Sequence, residues 1–138
     1  MRRAIQAALR LIIGLVLFAT AVAKLLDVAG FTRILRSYQA LPDASLPAAG
    51  LVIPIGELTL SIWLLSGRRL AVSALASAAL HLAYAAWSAA GVLRGLRLSN
   101  CGCFGVFLAR PLGWSTVAED AVLVAMSLLL MALARGES

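Results

Sequence analysis

The sequence predicts an all-α integral membrane protein, a bundle of four transmembrane helices with an interfacial amphipathic helix between the first two spans. Three observations carry this. Of the 138 residues, 62% are hydrophobic and only 13% are charged, whereas soluble domains keep about a quarter of their residues charged. A soluble fold of this size still exposes much of the surface its chain carries, so it has nowhere to hide so many apolar residues. The apolar residues also fall into four runs, each close to the ~20 residues a helix needs to cross a hydrocarbon core.

The spans are expected at 4–26, 46–65, 70–93 and 114–134, within a single four-helix transmembrane domain over 1–138. Arg2 and Arg3, a long apolar stretch and Ala21-Val22-Ala23 together mimic a secretory signal. The stretch is longer than a signal core and three more runs follow it, so it reads as an uncleaved first span. In the first connection, Phe31, Ile34, Leu35, Tyr38 and Leu41 recur at helical spacing, with Arg33, Arg36 and Ser37 opposite. That pattern predicts an amphipathic helix in the membrane interface, ended by Leu41-Pro42-Asp43. Ser66-Gly67-Arg68-Arg69 reads as a tight turn into the third span. There, Ser73, Ser77, His81 and Ala85 stand four apart and form a face of mostly small residues, suited to close helix packing. The last connection, 94–113, holds Asn100-Cys101-Gly102-Cys103-Phe104-Gly105.

The net charge of +6 does not point to nucleic acid. The arginines occur singly or in pairs at the ends of apolar runs, where they meet lipid phosphates or fix topology, and no aromatic-interleaved basic stripe is present. The lipid bilayer is the expected surrounding. An even number of spans puts both long connections on one side and both termini on the other. Lys and Arg divide six against six between the two sides. The first helix usually dominates orientation, and Arg2, Arg3 and Arg10 lie at its start. The expectation is a bacterial cytoplasmic (inner) membrane protein with cytoplasmic termini and a periplasmic cysteine loop.

Two cysteines one residue apart act locally. A disulfide needs Cα atoms ~4.4–6.8 Å apart, so an i, i+2 pair must bend sharply to close one. Gly102 tolerates such a bend. A small strained ring suits exchange rather than stapling, and Arg94, Arg97 and Arg110 nearby favour the reactive thiolate. Three readings compete: a redox-active dithiol, a metal site completed by another chain or a distant residue, and an incidental pair of small apolar side chains.

Ionisable groups within spans are costly and serve as functional hypotheses. Lys24 stands near the loop-side end of the first span, and Glu119 and Asp120 lie ~7–9 Å into the fourth from the same side. Lys24 is therefore expected to face one of these carboxylates beneath the cysteine loop. The pair either fixes helix register or tunes the thiols and relays protons. Glu57 and His81 are expected near the midplane, satisfying each other or hydrogen-bonding a quinone head group.

These features together resemble the MauE branch of the DoxX-like membrane proteins. The resemblance rests on Ala23-Lys24-Leu25, Phe31 with Tyr38 and Leu41-Pro42, and Glu57. It is completed by Asn100-Cys101-Gly102-Cys103-Phe104-Gly105 and Glu119-Asp120. Cys-Gly-Cys-Phe-Gly is its most specific part. The resemblance implies a four-helix membrane protein that supports disulfide formation. In methylamine-using bacteria it implies maturation of a cysteine-rich dehydrogenase subunit beside a thioredoxin-like partner. Wider relatives are linked to thiosulfate:quinone oxidoreduction.

The combined expectation is a membrane thiol–disulfide oxidoreductase. Cys101 and Cys103 exchange with a periplasmic thioredoxin-like or cysteine-rich protein and pass electrons to a membrane acceptor such as quinone. Lys24, Glu57, His81, Glu119 and Asp120 support the pair. The alternatives are a non-catalytic anchor subunit of a membrane redox complex and a thiolate metal-handling protein.

Overall fold

The computed structural model describes residues 1–136, and every element in it is helical: α1 Arg2–Leu25, α2 Val28–Ser37, α3 Leu46–Ser66, α4 Leu70–Leu93 and α5 Trp114–Arg135, with a 3-10 turn at Asp43–Ser45 before α3. The helices α1, α3, α4 and α5 are long and apolar enough to cross a membrane. Their outward faces carry exposed Leu15, Phe18, Val52, Ile62, Val72, Leu82 and Val122. Leaving such side chains in water forfeits about 1.5–3 kcal/mol each relative to burial. Lipid removes that cost, and the chain is a multi-pass membrane protein.

Local chemistry sets the breaks between helices. Asp27 ends the run of α1 by capping α2, its Oδ1 accepting from the Gly30 N–H at 2.9 Å, which satisfies one of the amides a helix start leaves unpaired. The chain therefore turns within two residues. At the other end of the bundle, Gly67 closes α3 in the left-handed region at φ +74°, where glycine carries no steric penalty.

The bundle is built from two helix pairs. α1 packs along α3 and α4 along α5, while contacts between the pairs run chiefly through α1–α5 and α3–α4. The small-residue face of α4 serves the second pair: Ser73 and Ser77 are fully buried, and Ser77 Oγ lies 2.9 Å from Ser127 Oγ across the α4–α5 interface. Near the α3–α4 turn the pairs close on a core of Ile13, Leu17, Leu60, Leu64, Ala74 and Leu130. At the opposite end Phe31 and Leu35 of α2 join Leu46 of α3, with Ile53 and Trp87 against them. Arg33, Arg36 and Ser37 of α2 remain exposed. The two helix pairs meet a cavity in this half, roofed by α2 and the loop between α4 and α5.

Candidate functional site

The cysteine loop is held by short-range bonds to its own backbone and by two neighbouring elements. Asn100 brackets the motif: its Oδ1 accepts from the Gly102 N–H at 2.9 Å, and its Nδ2 donates to the Gly105 carbonyl at 3.0 Å. The Cys101 N–H donates to the Arg110 carbonyl at 2.7 Å, and the Leu112 N–H to the Leu98 carbonyl at 3.0 Å, so the two arms of the loop run side by side. From α2, the Tyr38 hydroxyl donates to the Cys101 carbonyl at 2.6 Å. Arg94 ties the end of α4 to the end of α2 through the Tyr38 and Gln39 carbonyls.

Two glycines make this conformation possible. Gly102 sits at φ +85° and Gly105 at φ +62°, where L side chains are strained. A Cβ on Gly105 would also stand 2.9 Å from the Ala23 carbonyl oxygen. The loop therefore lies directly on the backbone of α1, beside Lys24. The bend at Gly102 brings the Cys101 and Cys103 Sγ atoms to 2.9 Å, with both cysteines free.

The electrostatics of the pair are unequal. The hydrogen bond from Cys103 holds Cys101 down to about 6 against the opposing effect of burial, helped by the Cys103 backbone and the Arg110 charge. Cys103, as donor in that bond and itself half-buried, is pushed far up. These opposite shifts favour a thiolate on Cys101 beside a thiol on Cys103. Cys103 is the more accessible of the two.

Beneath the pair lies the cavity, about 640 Å³ in volume and lined mostly by apolar side chains. Its polar lining includes Lys24, Glu57, His81, Tyr84, Asp120 and the two cysteines, with Thr20, Tyr38, Ser88, Arg110 and Glu119 also on its wall. Lys24 Nζ and Glu57 Oε1 form a buried ion pair at 2.6 Å, with side chains 5% and 1% exposed. The Tyr84 hydroxyl donates to the same Glu57 oxygen, and Thr20 Oγ1 approaches Glu57 Oε2 at 3.4 Å. The ammonium also stands 5.3 Å from the ring centroids of both Phe31 and Tyr84.

Two expectations are corrected by these contacts. Lys24 pairs with Glu57, not with Glu119 or Asp120, because α1 packs on α3 and its lysine reaches across that tight interface. Glu119 is exposed and bonds Arg110 instead. Asp120 is buried, and its Oδ2 has no hydrogen-bond partner among the described residues. Glu57 and His81 do not bond each other either. The His81 Nδ1 lies 2.8 Å from the Ser77 carbonyl one turn back on its own helix, while its ring meets Tyr84 edge-on at 6.3 Å. Of the three arginines near the motif, Arg110 acts on the Cys101 charge, and Arg94 is spent on fastening α2.

Sequence reasoning missed Tyr84 and Thr20. Tyr84 follows His81 by three residues and so shares its helix face, a signal that was legible. Thr20 stands four residues before Lys24 on α1 in the same way. Among the described residues, no three His, Cys, Asp or Glu side chains cluster as a metal site.

Comparison with known proteins agrees with the motif. Residues 2–133 match the family described as methylamine utilisation protein MauE. A methylamine utilization protein MauE from Paracoccus denitrificans is 36% identical over 121 residues, covering 88% of this chain and 65% of the relative. Its counterpart from Paracoccus versutus is 35% identical over 113 residues, covering 81% and 61%. The matched part thus spans less than two thirds of either relative. No solved structure matches. With its cysteine loop, buried ion pair and four apolar helices in the matched region, the chain belongs to the MauE family of membrane proteins.

Proposed function

We propose that this chain is a thiol–disulfide exchange protein of the bacterial inner membrane, with its termini in the cytoplasm and its cysteine loop in the periplasm. The observation that carries the reading is the 2.9 Å separation of two free sulfurs across a positive-φ glycine. Two thiols held this close with unequal proton affinities are suited to forming and opening a disulfide. The relatives, which are named for methylamine utilization, support a place for the protein in that process.

The asymmetry of the pair assigns the order of exchange. In the oxidised protein an incoming partner thiolate attacks the more accessible Cys103 sulfur. The Cys101–Cys103 bond breaks, and Cys101 leaves as a thiolate, the better leaving group because its proton affinity is lower. A second thiolate of the partner then attacks its own sulfur in the mixed disulfide and releases Cys103. The partner gains a disulfide, and two electrons pass to the cysteine pair. A periplasmic thioredoxin-like or cysteine-rich protein has the paired thiols this sequence requires.

The test is covalent capture. Cys101→Ser cannot close the internal disulfide, so Cys103 attacks the disulfide of the oxidised partner in the reverse direction, and the mixed disulfide, lacking Cys101 to resolve it, accumulates and dissolves on reduction. Cys103→Ser accumulates much less, because the remaining sulfur is the buried one. If neither variant captures a protein, and an impermeant maleimide labels neither cysteine from the periplasmic side, the reading fails.

A further inference from the structure

We infer that the cavity beneath the cysteine pair is the binding site of a quinone, which takes the electrons that exchange delivers. This rests on the thiol-exchange reading and adds the acceptor and its seat. Sequence reasoning tied a quinone to Glu57 and His81 at the midplane, but Glu57 is taken up by Lys24 with Tyr84, and His81 Nδ1 by Ser77. Two other polar groups on the cavity wall have capacity to spare. Lys24 has three N–H donors and, among the described residues, makes one hydrogen bond, to Glu57. Asp120 Oδ2 is buried without a partner among the described residues, on a side chain 7% exposed. Both line the cavity, as do Cys101 and Cys103.

A buried orphan acceptor and an under-used cationic donor in a mostly apolar chamber call for a ligand with an apolar body and paired oxygens. A quinone ring offers a carbonyl to the ammonium and, once reduced, a hydroxyl to the carboxylate. The cavity also has a lipid-side entrance. Its lining includes exposed Ala83 on α4 and Val122 on α5, ten and eight residues from their loop-side helix ends. That is about 12–15 Å along the helix, at hydrocarbon depth. An apolar tail can leave through it into the bilayer. The volume of about 640 Å³ lies within the range of small-molecule pockets.

The step balances. The Cys101 thiolate and Cys103 thiol lose two electrons and one proton as the S–S bond forms. The quinone gains two electrons and two protons to become the quinol. One proton is that of Cys103, and the other is supplied from the water side through Asp120.

The experiment is a titration of the purified full chain in micelles with a decyl-substituted benzoquinone, read by quenching of tryptophan fluorescence. Trp87 lines the cavity, so quenching is expected to saturate and to lose its saturable part in Trp87→Phe. Ala83→Phe narrows the entrance and is expected to raise the half-saturation concentration by about tenfold or more. Asp120→Asn is expected to slow oxidation of the reduced cysteines by the quinone about a hundredfold. Quenching that does not saturate, or that a decyl chain lacking the quinone ring competes away equally well, overturns the inference; the latter result assigns the cavity to a lipid tail. If Cys101→Ser captures its partner while Ala83→Phe titrates like the wild type, the quinone site falls and thiol exchange stands. Saturable quenching without capture has the opposite meaning.

Discussion

Removing Lys24 alone is expected to damage this protein more than removing Lys24 and Glu57 together. The two side chains are 5% and 1% exposed and 2.6 Å apart, so each is the other's main compensation for leaving water. Lys24→Met leaves a buried carboxylate with only the Tyr84 and Thr20 hydroxyls as partners. Breaking a buried pair in this way costs about 3–5 kcal/mol. Glu57→Leu leaves the ammonium over the Phe31 and Tyr84 rings. Those contacts return about 2 kcal/mol at a desolvated site, so the loss falls below that of Lys24→Met. The double variant Lys24→Met, Glu57→Leu buries no charge and strands mainly the Tyr84 hydroxyl, at about 1–3 kcal/mol. The sum of the single losses should therefore exceed the double loss by about 3 kcal/mol or more, the upper end of what contacting residues show. Reversible unfolding in mixed micelles, driven by sodium dodecyl sulfate and followed by circular dichroism, measures all four corners of the cycle. Additive single losses, or single losses under about 1 kcal/mol, would refute the buried pair as the organiser of the α1–α3 interface.

The thiol chemistry offers further checks. Alkylation of Cys101 by iodoacetamide should rise with pH through a midpoint near 6, since the thiolate is the reactive form and its proton is held down to about 6. A midpoint at the ordinary thiol value of ~8.5 contradicts the hydrogen-bonded pair. Cys103→Ala should move that midpoint up more than Arg110→Ala does, because the Cys103 hydrogen bond is the larger influence and Arg110 is shared with Glu119. Gly105→Ala should lose dithiol oxidation by an external oxidant more completely than Gly102→Ala. The Cβ at 105 meets the fixed backbone of α1, whereas the Cβ at 102 meets the end of the Ile34 side chain, which can turn aside. Equal oxidation rates in the two variants would contradict the docking of the loop on α1.

The sequence alone determined the medium, the four apolar helices and the cysteine motif. Hydropathy and run length depend on composition within single segments, and lipid imposes intrasegment hydrogen bonding, so little remains for tertiary contacts to decide. The family motif was legible for the same reason, since Asn100 to Gly105 are contiguous and their bend is local. Pairings between helices were not legible. By residue count Lys24 stands at the depth of Glu119 and Asp120 and nearer the loop than Glu57, and only the close packing of α1 on α3, with the reach of a lysine side chain, selects Glu57. Depth along a helix follows from counting residues, but azimuth and neighbour depend on how side chains interlock. The same limit hid the cavity: its polar groups come from α1, α3, α4, α5 and the loop, and only the folded arrangement of two helix pairs brings Asp120 and Lys24 beneath one pair of sulfurs.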